Sequence, residues 1–179
     1  MEAGSRGDER AWIRGAQSGS VPDLEALFRS HWPRAYRAAY LVVHYSAAAE
    51  DIAQEAFLSA VRNLDRFDRR RPFGPWLHRI VVNRAIDWSR ARALRRESGD
   101  DVLGLVAAPA PPARDDAQPL AAALAGLSPE HRAVIVMRHL LDYTPGEISE
   151  ALGLPRGTVN SRLRRGLDEL AGKLDEDLT

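Results

Sequence analysis

The sequence predicts an all-α protein with two small helical domains joined by a flexible linker, the second domain containing a helix-turn-helix. Apolar residues recur with helical spacing along almost the whole chain, and no run alternates for long enough to predict a half-buried strand. A stretch rich in Ala, Pro, Gly and Asp interrupts this pattern after residue 97. We therefore predict a first domain at residues 22–97, a linker at 98–118 and a second domain at 119–175.

The composition of the chain excludes several classes of function. The chain has no Cys, and its five His show no ligand-like spacing with carboxylates, so we expect neither a metal site nor a cofactor. The sequence contains no glycine-rich phosphate loop and no nucleophile motif, so we do not expect an enzyme. No stretch reaches the roughly 18 consecutive apolar residues of a membrane span. We expect a cytoplasmic protein that does not insert into membranes.

Two helices are predicted at the start of the first domain. The first covers about residues 23–44, and Pro33 is expected to kink or divide it because proline lacks the backbone N–H. The second covers about 47–67, with Ser46 placed to cap it and an acidic pair at 50–51 near its positive amino end. The buried stripe of the second helix is predicted to contain Ile52, Ala56, Phe57, Ala60, Val61 and Leu64.

A strongly basic segment follows these helices. Residues 62–96 contain eleven Arg and three Asp, although the net charge of the whole chain is zero. Two prolines and a glycine at 72–75 predict a loop, which is followed by a third helix at about 76–96. The side of this helix opposite its apolar face carries Arg79, Asn83 and Arg90. Basic and aromatic residues together suit single-stranded nucleic acid, and the alternative is ordinary solvated surface charge.

The second domain begins with a predicted helix at about 120–127. Two sequence signals then mark the starts of further helices. Ser128 followed by Pro129 predicts a capped start with proline in the first turn. Thr144 and Glu147 have the spacing of a capping box and predict the start of a short helix.

A helix-turn-helix is predicted at the end of this domain. Gly153 ends the short helix, and a final helix at about 156–174 follows it. The second helix of such a pair enters the major groove of DNA. Its inner face is predicted to carry Val159, Leu163, Leu167 and Leu170. The side chains that can contact DNA are Arg156, Thr158, Asn160, Ser161, Arg162, Arg164 and Arg165. The alternative is an ordinary helical hairpin with a basic outer face.

These motifs resemble, in the same order, those of the extracytoplasmic-function (ECF, group 4) sigma factors, a subfamily of the sigma-70-type sigma factors of RNA polymerase. The runs AEDIAQEAF at 49–57, FGPWL at 73–77 and VNRAID at 82–87 resemble the first conserved domain of that family. The run GTVNSRL at 157–163 resembles the second. The resemblance covers about residues 23–174.

The resemblance implies a sigma factor that binds core RNA polymerase and directs promoter-specific transcription initiation. Its first domain would bind the clamp helices of the largest polymerase subunit through Asp51, Gln54 and Glu55. Its second domain would reach the flap region and bind the −35 element as duplex, through the seven side chains of the final helix. The −10 element would be read and opened by Arg69, Arg70, Arg71, Phe73, Arg79, Asn83 and Arg90. Promoter DNA is thus a second partner, and the resemblance allows for an anti-sigma factor.

Two positions depart from the pattern of the family. Asn160 stands where Lys or Arg is usual, and Arg164 stands where an aromatic residue or His is common, so the −35 sequence does not follow from the resemblance. The rival interpretation is a helix-turn-helix regulator whose first domain binds a ligand or a partner and which acts as a dimer on duplex DNA. That interpretation leaves the basic third helix unexplained.

Overall fold

A computed structural model describes residues 6–98 and 117–177. All regular secondary structure within these two ranges is helical, which confirms the all-α prediction. The predicted linker lies almost entirely outside the described residues. The helices are α1 (Arg6–Gln17), α2 (Val21–Val43), α3 (Ser46–Arg62), α4 (Phe73–Glu97), α5 (Ala117–Ala125), α6 (Pro129–His139), α7 (Pro145–Leu152) and α8 (Arg156–Asp177), with a 3₁₀ turn at Leu64–Arg66. In the described part of the chain, no helix combines the length and the apolar character that crossing a membrane requires.

Helix α1 was not predicted, and it packs against α2 and the 3₁₀ turn. Ile13 is fully buried, and Trp12 and Ala16 are partly buried against the same core. These three residues have helical spacing, which is the sequence signal for α1. Residues that precede the boundary predicted at residue 22 thus pack against the same core.

The ends of α2 and α3 differ from the prediction. Helix α2 runs through Pro33 without division, because buried residues on both sides of the proline hold it in the core. His44 ends α2 in a left-handed conformation, with φ of 53°, so only two residues separate it from α3. Ser46 is consequently the first residue of α3, and the prediction that it caps the helix is wrong, because Tyr45 occupies the capping position.

Helix α4 begins earlier than predicted, at Phe73. Pro72 occupies the capping position, and Pro75 falls in the first turn, where its missing N–H would have no helical partner. The basic loop is therefore short and consists of residues 67–72. Phe73 is only 2% exposed, and its ring contacts those of His31, Phe57, Phe67 and Trp76.

The start signals of the second domain are confirmed. The Ser128 hydroxyl accepts a hydrogen bond from the His131 N–H at 3.2 Å, and Thr144 and Glu147 form a complete capping box. Gly153 ends α7 with φ of 64°, and α8 follows, so α7 and α8 form the predicted helix-turn-helix.

One residue of the predicted inner face of α8 is misplaced. Val159 and Leu163 are buried, but Leu167 is 44% exposed. At this level α8 turns Gly166 toward α6, where a Cβ atom would lie 2.7 Å from Ile135 Cδ1. The close approach of the two helices through Gly166 leaves Leu167 at the edge of the contact.

The two domains pack against each other. Helices α2 and α4 of the first domain contact α6, and α4 also contacts α7. Buried residues of both domains belong to one continuous apolar core. Polar contacts cross the boundary as well, since the Arg34 guanidinium donates to the Leu140 carbonyl at 2.6 Å and to the Asp142 carboxylate at 2.8 Å. We call this packing of the two domains the closed arrangement.

Candidate nucleic-acid interface

The polar face of α3 carries the three residues predicted to bind polymerase. Asp51, Gln54 and Glu55 are exposed and lie at spacings of three and four residues, on the side of α3 opposite its buried stripe. Glu55 is paired with Arg84 of α4, with 2.6 Å between Oε2 and Nη1. The structure therefore brings these three side chains together on one accessible surface.

An apolar groove of about 440 Å³ adjoins this face, and the sequence analysis did not identify it. Gln54 lines both the polar face and the groove. The groove walls come from α2 and α3, and Val21 and Leu58 are 71% and 54% exposed. Val61, predicted to be buried, is 38% exposed here because it faces the groove and not the core.

The arginine-rich loop leaves the 3₁₀ turn and is shaped by Asp68. The Asp68 carbonyl accepts from the Arg71 N–H at 2.9 Å, and its carboxylate accepts from the Arg70 N–H at 3.0 Å. Arg69, Arg70 and Arg71 are all exposed. Phe73 is not, because it packs in the core, and it does not belong to the surface that could contact DNA.

A groove of about 750 Å³ lies between the two domains. Its first wall belongs to the first domain and carries positive charge and aromatic surface, formed by Arg66, Phe67, Arg71, Trp76 and Arg79. Its second wall belongs to the second domain and is acidic, formed by Asp142, Glu147 and Glu150 beside Tyr143. The structure thus places two of the predicted −10 residues, Arg71 and Arg79, in one groove. Arg66 and the half-buried Trp76 are additional candidates that the sequence analysis missed.

Two other predicted −10 residues contact the second domain. Asn83 Nδ2 donates to the Arg79 carbonyl at 2.8 Å and to the Ala151 carbonyl of α7 at 3.1 Å. Arg90 Nε donates to Glu130 Oε1 at 2.9 Å. Burial acts to raise the pKa of Glu130, but the hydrogen bond from Arg90, a backbone hydrogen bond and the positive charges of Arg90 and Arg162 together outweigh burial and lower that pKa below its usual value. In the closed arrangement these two side chains are therefore engaged within the protein.

Two neutral histidines, the buried His78 and the half-buried His44, lie near the boundary between the domains. Burial lowers the pKa of His78 to about 3, and the positive charges of His31 and Arg34 act in the same direction. The His78 ring lies edge-on to Tyr143, with 6.4 Å between the centroids. Burial also lowers the pKa of His44 to about 4, with Arg132 of α6 adding to the effect. Protonation of His78 would place a charge in the core, and protonation of His44 would place one at its edge.

Helix α8 carries the predicted −35 residues. Arg156, Asn160, Arg164 and Arg165 are exposed, whereas Thr158, Ser161 and Arg162 are half-buried. The turn before α8 is fixed by Ser149, whose hydroxyl donates to the Leu154 carbonyl at 2.5 Å. A rigid turn of this kind sets the angle at which α8 can enter a groove.

Comparison with known proteins gives two family matches. Residues 27–95 match Sigma-70 region 2, and residues 117–170 match Sigma-70 region 4. The RNA polymerase sigma factor CarQ of Myxococcus xanthus is 33% identical over 168 residues, which cover 89% of this chain and 94% of CarQ. The ECF RNA polymerase sigma factor SigE of Mycolicibacterium smegmatis is 34% identical over 158 residues, 84% of this chain but 61% of the length of SigE.

One solved structure resembles the whole described fold. CnrH, in complex with the cytosolic domain of CnrY, superposes with a TM-score of 0.69 at 27% sequence identity. The match covers 95% of this chain and 99% of CnrH. The similarity therefore extends over both domains.

Proposed function

Because this chain belongs to the ECF sigma factors of the sigma-70 family, we propose that it binds core RNA polymerase and directs initiation at promoters whose −10 and −35 elements are read by separate surfaces. The observation that carries the proposal is the basic and aromatic wall that the loop and α4 form together, on a domain distinct from the helix-turn-helix. One surface suits single-stranded DNA and the other suits duplex.

Polymerase would bind the exposed face of α3. Asp51, Gln54 and Glu55 offer carboxylate and amide groups to a basic or polar helix of the partner. The apolar groove shares Gln54 with this face, so the same partner helix could bury apolar side chains against Leu58 and Val61. A polar rim beside an apolar contact is the usual composition of a protein interface.

The −10 element would be held by the first wall of the groove between the domains. Arg71 and Arg79, which line this groove, would contact phosphates, and the Trp76 ring would stack with an unpaired base. Asn83 would contact the non-template strand. Trapping a base outside the duplex costs about a few kcal/mol, which these charge and stacking contacts would offset.

The −35 element would be bound by α8 in the major groove. Asn160 is exposed and can make a bidentate pair with adenine, while Arg164 and Arg165 can contact guanine or phosphate. Half-buried Arg162 would position the helix on the phosphate backbone.

Both elements cannot be bound in the closed arrangement. Elements centred at −10 and −35 lie about 25 base pairs apart, which is roughly 85 Å at 3.4 Å per base pair. In the closed arrangement, Asn83 Nδ2 of the first domain lies 3.1 Å from the Ala151 carbonyl of α7, the first helix of the helix-turn-helix. Helix α8, with 22 residues, is about 33 Å long and so cannot span the remaining distance to the −35 element. Binding to polymerase and promoter must therefore separate the domains and free Asn83 and Arg90.

An anti-sigma factor is a further proposed partner. CnrH, whose two-domain fold this chain resembles, has a bound partner in its solved structure, the cytosolic domain of CnrY. A protein that binds the closed arrangement would keep Asn83 and Arg90 engaged and so oppose promoter binding.

The function can be tested by reconstitution. Purified protein and core polymerase are mixed with a randomised promoter library, and transcripts are mapped to their start sites. We expect starts that depend on the added protein and share two sequence elements. Specific, high-affinity binding of the protein alone to palindromic duplex, with no dependence on polymerase, would instead support a dimeric regulator.

A further inference from the structure

A side chain at the end of helix α1 reaches the 3₁₀ turn and the first residue of the arginine-rich loop. Gln17, the last residue of α1, donates from Nε2 to the carbonyl of Leu64 at 2.8 Å and to the carbonyl of Phe67 at 3.2 Å. Helix α1 lies outside the residues that match Sigma-70 region 2. No surface described above includes it.

The two carbonyls stand at the point where the loop begins. Leu64 opens the 3₁₀ turn, and Phe67 closes it, one residue before Asp68 shapes the loop. The Phe67 ring lies against Trp76, with 4.6 Å between the centroids. The other end of the loop is fixed by the buried Phe73. The hydrogen bonds from Gln17 therefore hold the amino-terminal end of the loop against α1.

Helix α1 is itself held firmly enough to position Gln17. Ile13 is fully buried, and Glu9 pairs with His31 of α2 at 2.7 Å. Gly15 approaches α2 so closely that a Cβ atom there would lie 1.8 Å from the Asp23 carboxylate. The carboxyl end of α1 thus has little room to shift relative to α2.

We propose that Gln17 is a positioning residue for promoter opening, which holds the 3₁₀ turn so that Arg69, Arg70, Arg71 and the Phe67–Trp76 pair are already aligned when the −10 strand separates. This inference rests on the proposed role of the loop in promoter opening. Its physical basis is preorganisation, because a loop fixed before binding loses less conformational freedom when it captures DNA.

Two variants of Gln17 and one matched control test the proposal. Gln17→Ala removes both hydrogen bonds, and Gln17→Glu replaces the donor with a group that only accepts and faces two carbonyl oxygens. Ser18→Ala is the control, since among the residues that the structure describes the Ser18 hydroxyl donates to the Arg14 carbonyl of α1 and not to the turn or the loop. The proteins are assembled with core polymerase on a promoter selected from the library.

The expected result is local and specific to the opening step. With Gln17→Ala, we expect promoter opening from the closed complex to slow by about tenfold, the effect of losing one or two neutral hydrogen bonds. Gln17→Glu should slow opening at least as much. Polymerase affinity should not change, and amide hydrogen exchange should accelerate in residues 64–72 while the helices keep their protection. Ser18→Ala should match the wild type.

The triple variant Arg69→Ala, Arg70→Ala, Arg71→Ala separates failure of this inference from failure of the proposed function. If the triple variant opens promoters normally, the loop has no role in opening, and the proposed function of this surface is wrong. If it slows opening but both Gln17 variants behave like Ser18→Ala, only the positioning role is overturned. Faster exchange throughout the first domain of both Gln17 variants would also overturn it, since Gln17 would then be a general stabilising residue.

Discussion

At the scale of single residues, Asn83 has a contact in the closed arrangement and a different proposed contact in the polymerase-bound state, in which the domains are separated. Its amide closes the contact with α7 in this structure, and the same amide is proposed to contact the non-template strand once the domains separate. One side chain cannot do both at once. If Asn83 has the proposed role, its position couples promoter opening to domain separation.

Replacement of Asn83 by Ala should affect promoter opening and not promoter binding. Duplex recognition is proposed to depend on α8, so closed-complex formation should stay near that of the wild type. Permanganate-reactive thymines around the −10 element should decrease, because a contact to the melted strand is lost. Normal opening combined with weaker closed complexes would contradict the proposed role of Asn83.

Asn160 should determine preference at one position of the −35 element. A planar amide can pair bidentately with adenine and an ammonium cannot, and a good pair discriminates by about 1–3 kcal/mol. Asn160→Lys should therefore shift one position of a selected −35 library from adenine toward guanine. Arg162→Ala is the contrasting variant. It should weaken binding to all −35 sequences alike and reduce the slope of log affinity against log salt concentration by roughly 0.9 per lost phosphate contact. No shift at any position with Asn160→Lys would make Asn160 a bystander.

Acid should destabilise the folded chain through His78 and His44. His78 and His44 have pKa values lowered to about 3 and about 4, so the folded chain binds fewer protons than the unfolded chain below the ordinary value of 6.5. Stability is therefore highest above pH 6.5 and falls with the pH until it reaches the folded-state pKa of each histidine, about 4 for His44 and about 3 for His78. Lowering the pH from about 6.5 to about 5.5 should cost about 1 kcal/mol for each histidine.

The variant His78→Leu should remove about half of this loss. Within the described residues neither His78 ring nitrogen has a hydrogen-bond partner, so leucine forfeits no hydrogen bond there. The free energy of unfolding is measured by urea denaturation at both pH values. His139→Leu, at an exposed histidine, is the control and should keep the full loss. An unchanged pH dependence in His78→Leu would show that His78 is not the responsible group.

At the scale of secondary structure elements, the polar face of α3 should bind polymerase. Changing Asp51, Gln54 and Glu55 together to Ala should abolish co-purification with core polymerase, because all three are exposed on one face. Far-ultraviolet circular dichroism should show unchanged helicity, since alanine favours helix. The matched control is Asp65→Ala, an exposed acid outside α3. Retained polymerase binding by the folded triple variant would rule out this face.

The elements also show what the sequence could and could not predict. Local rules sufficed where one or two residues determine a helix end, as at Ser128, Thr144 and Gly153. Local rules gave the wrong helix start where it depends on packing. The tight turn at His44 and Tyr45 makes Ser46 the first residue of α3 and not its cap. Phe73 was assigned to DNA binding from its place in a basic segment, but burial in an aromatic cluster decides its role.

At the scale of the whole molecule, the closed arrangement could not be predicted from local patterns. Its polar contacts join residues far apart in the chain, such as Arg34 and Asp142, which are 108 residues apart. No hydrophobic period or capping signal encodes such a pair. The segments predicted to bind DNA could nevertheless be identified from the sequence, because clustered arginines are apparent without knowledge of the fold.

The central claim is that this sigma factor acts only after its two domains separate, and a cross-link tests it most directly. The chain has no Cys, so the double variant Arg34→Cys, Asp142→Cys carries two unique thiols at exposed positions that face each other across the boundary. A short, cleavable bis-maleimide would lock the closed arrangement. We predict promoter-specific transcripts from the unmodified double variant with core polymerase, none from the cross-linked protein, and recovery after the linker is cleaved. Equal transcription by the locked and unlocked proteins would contradict the account.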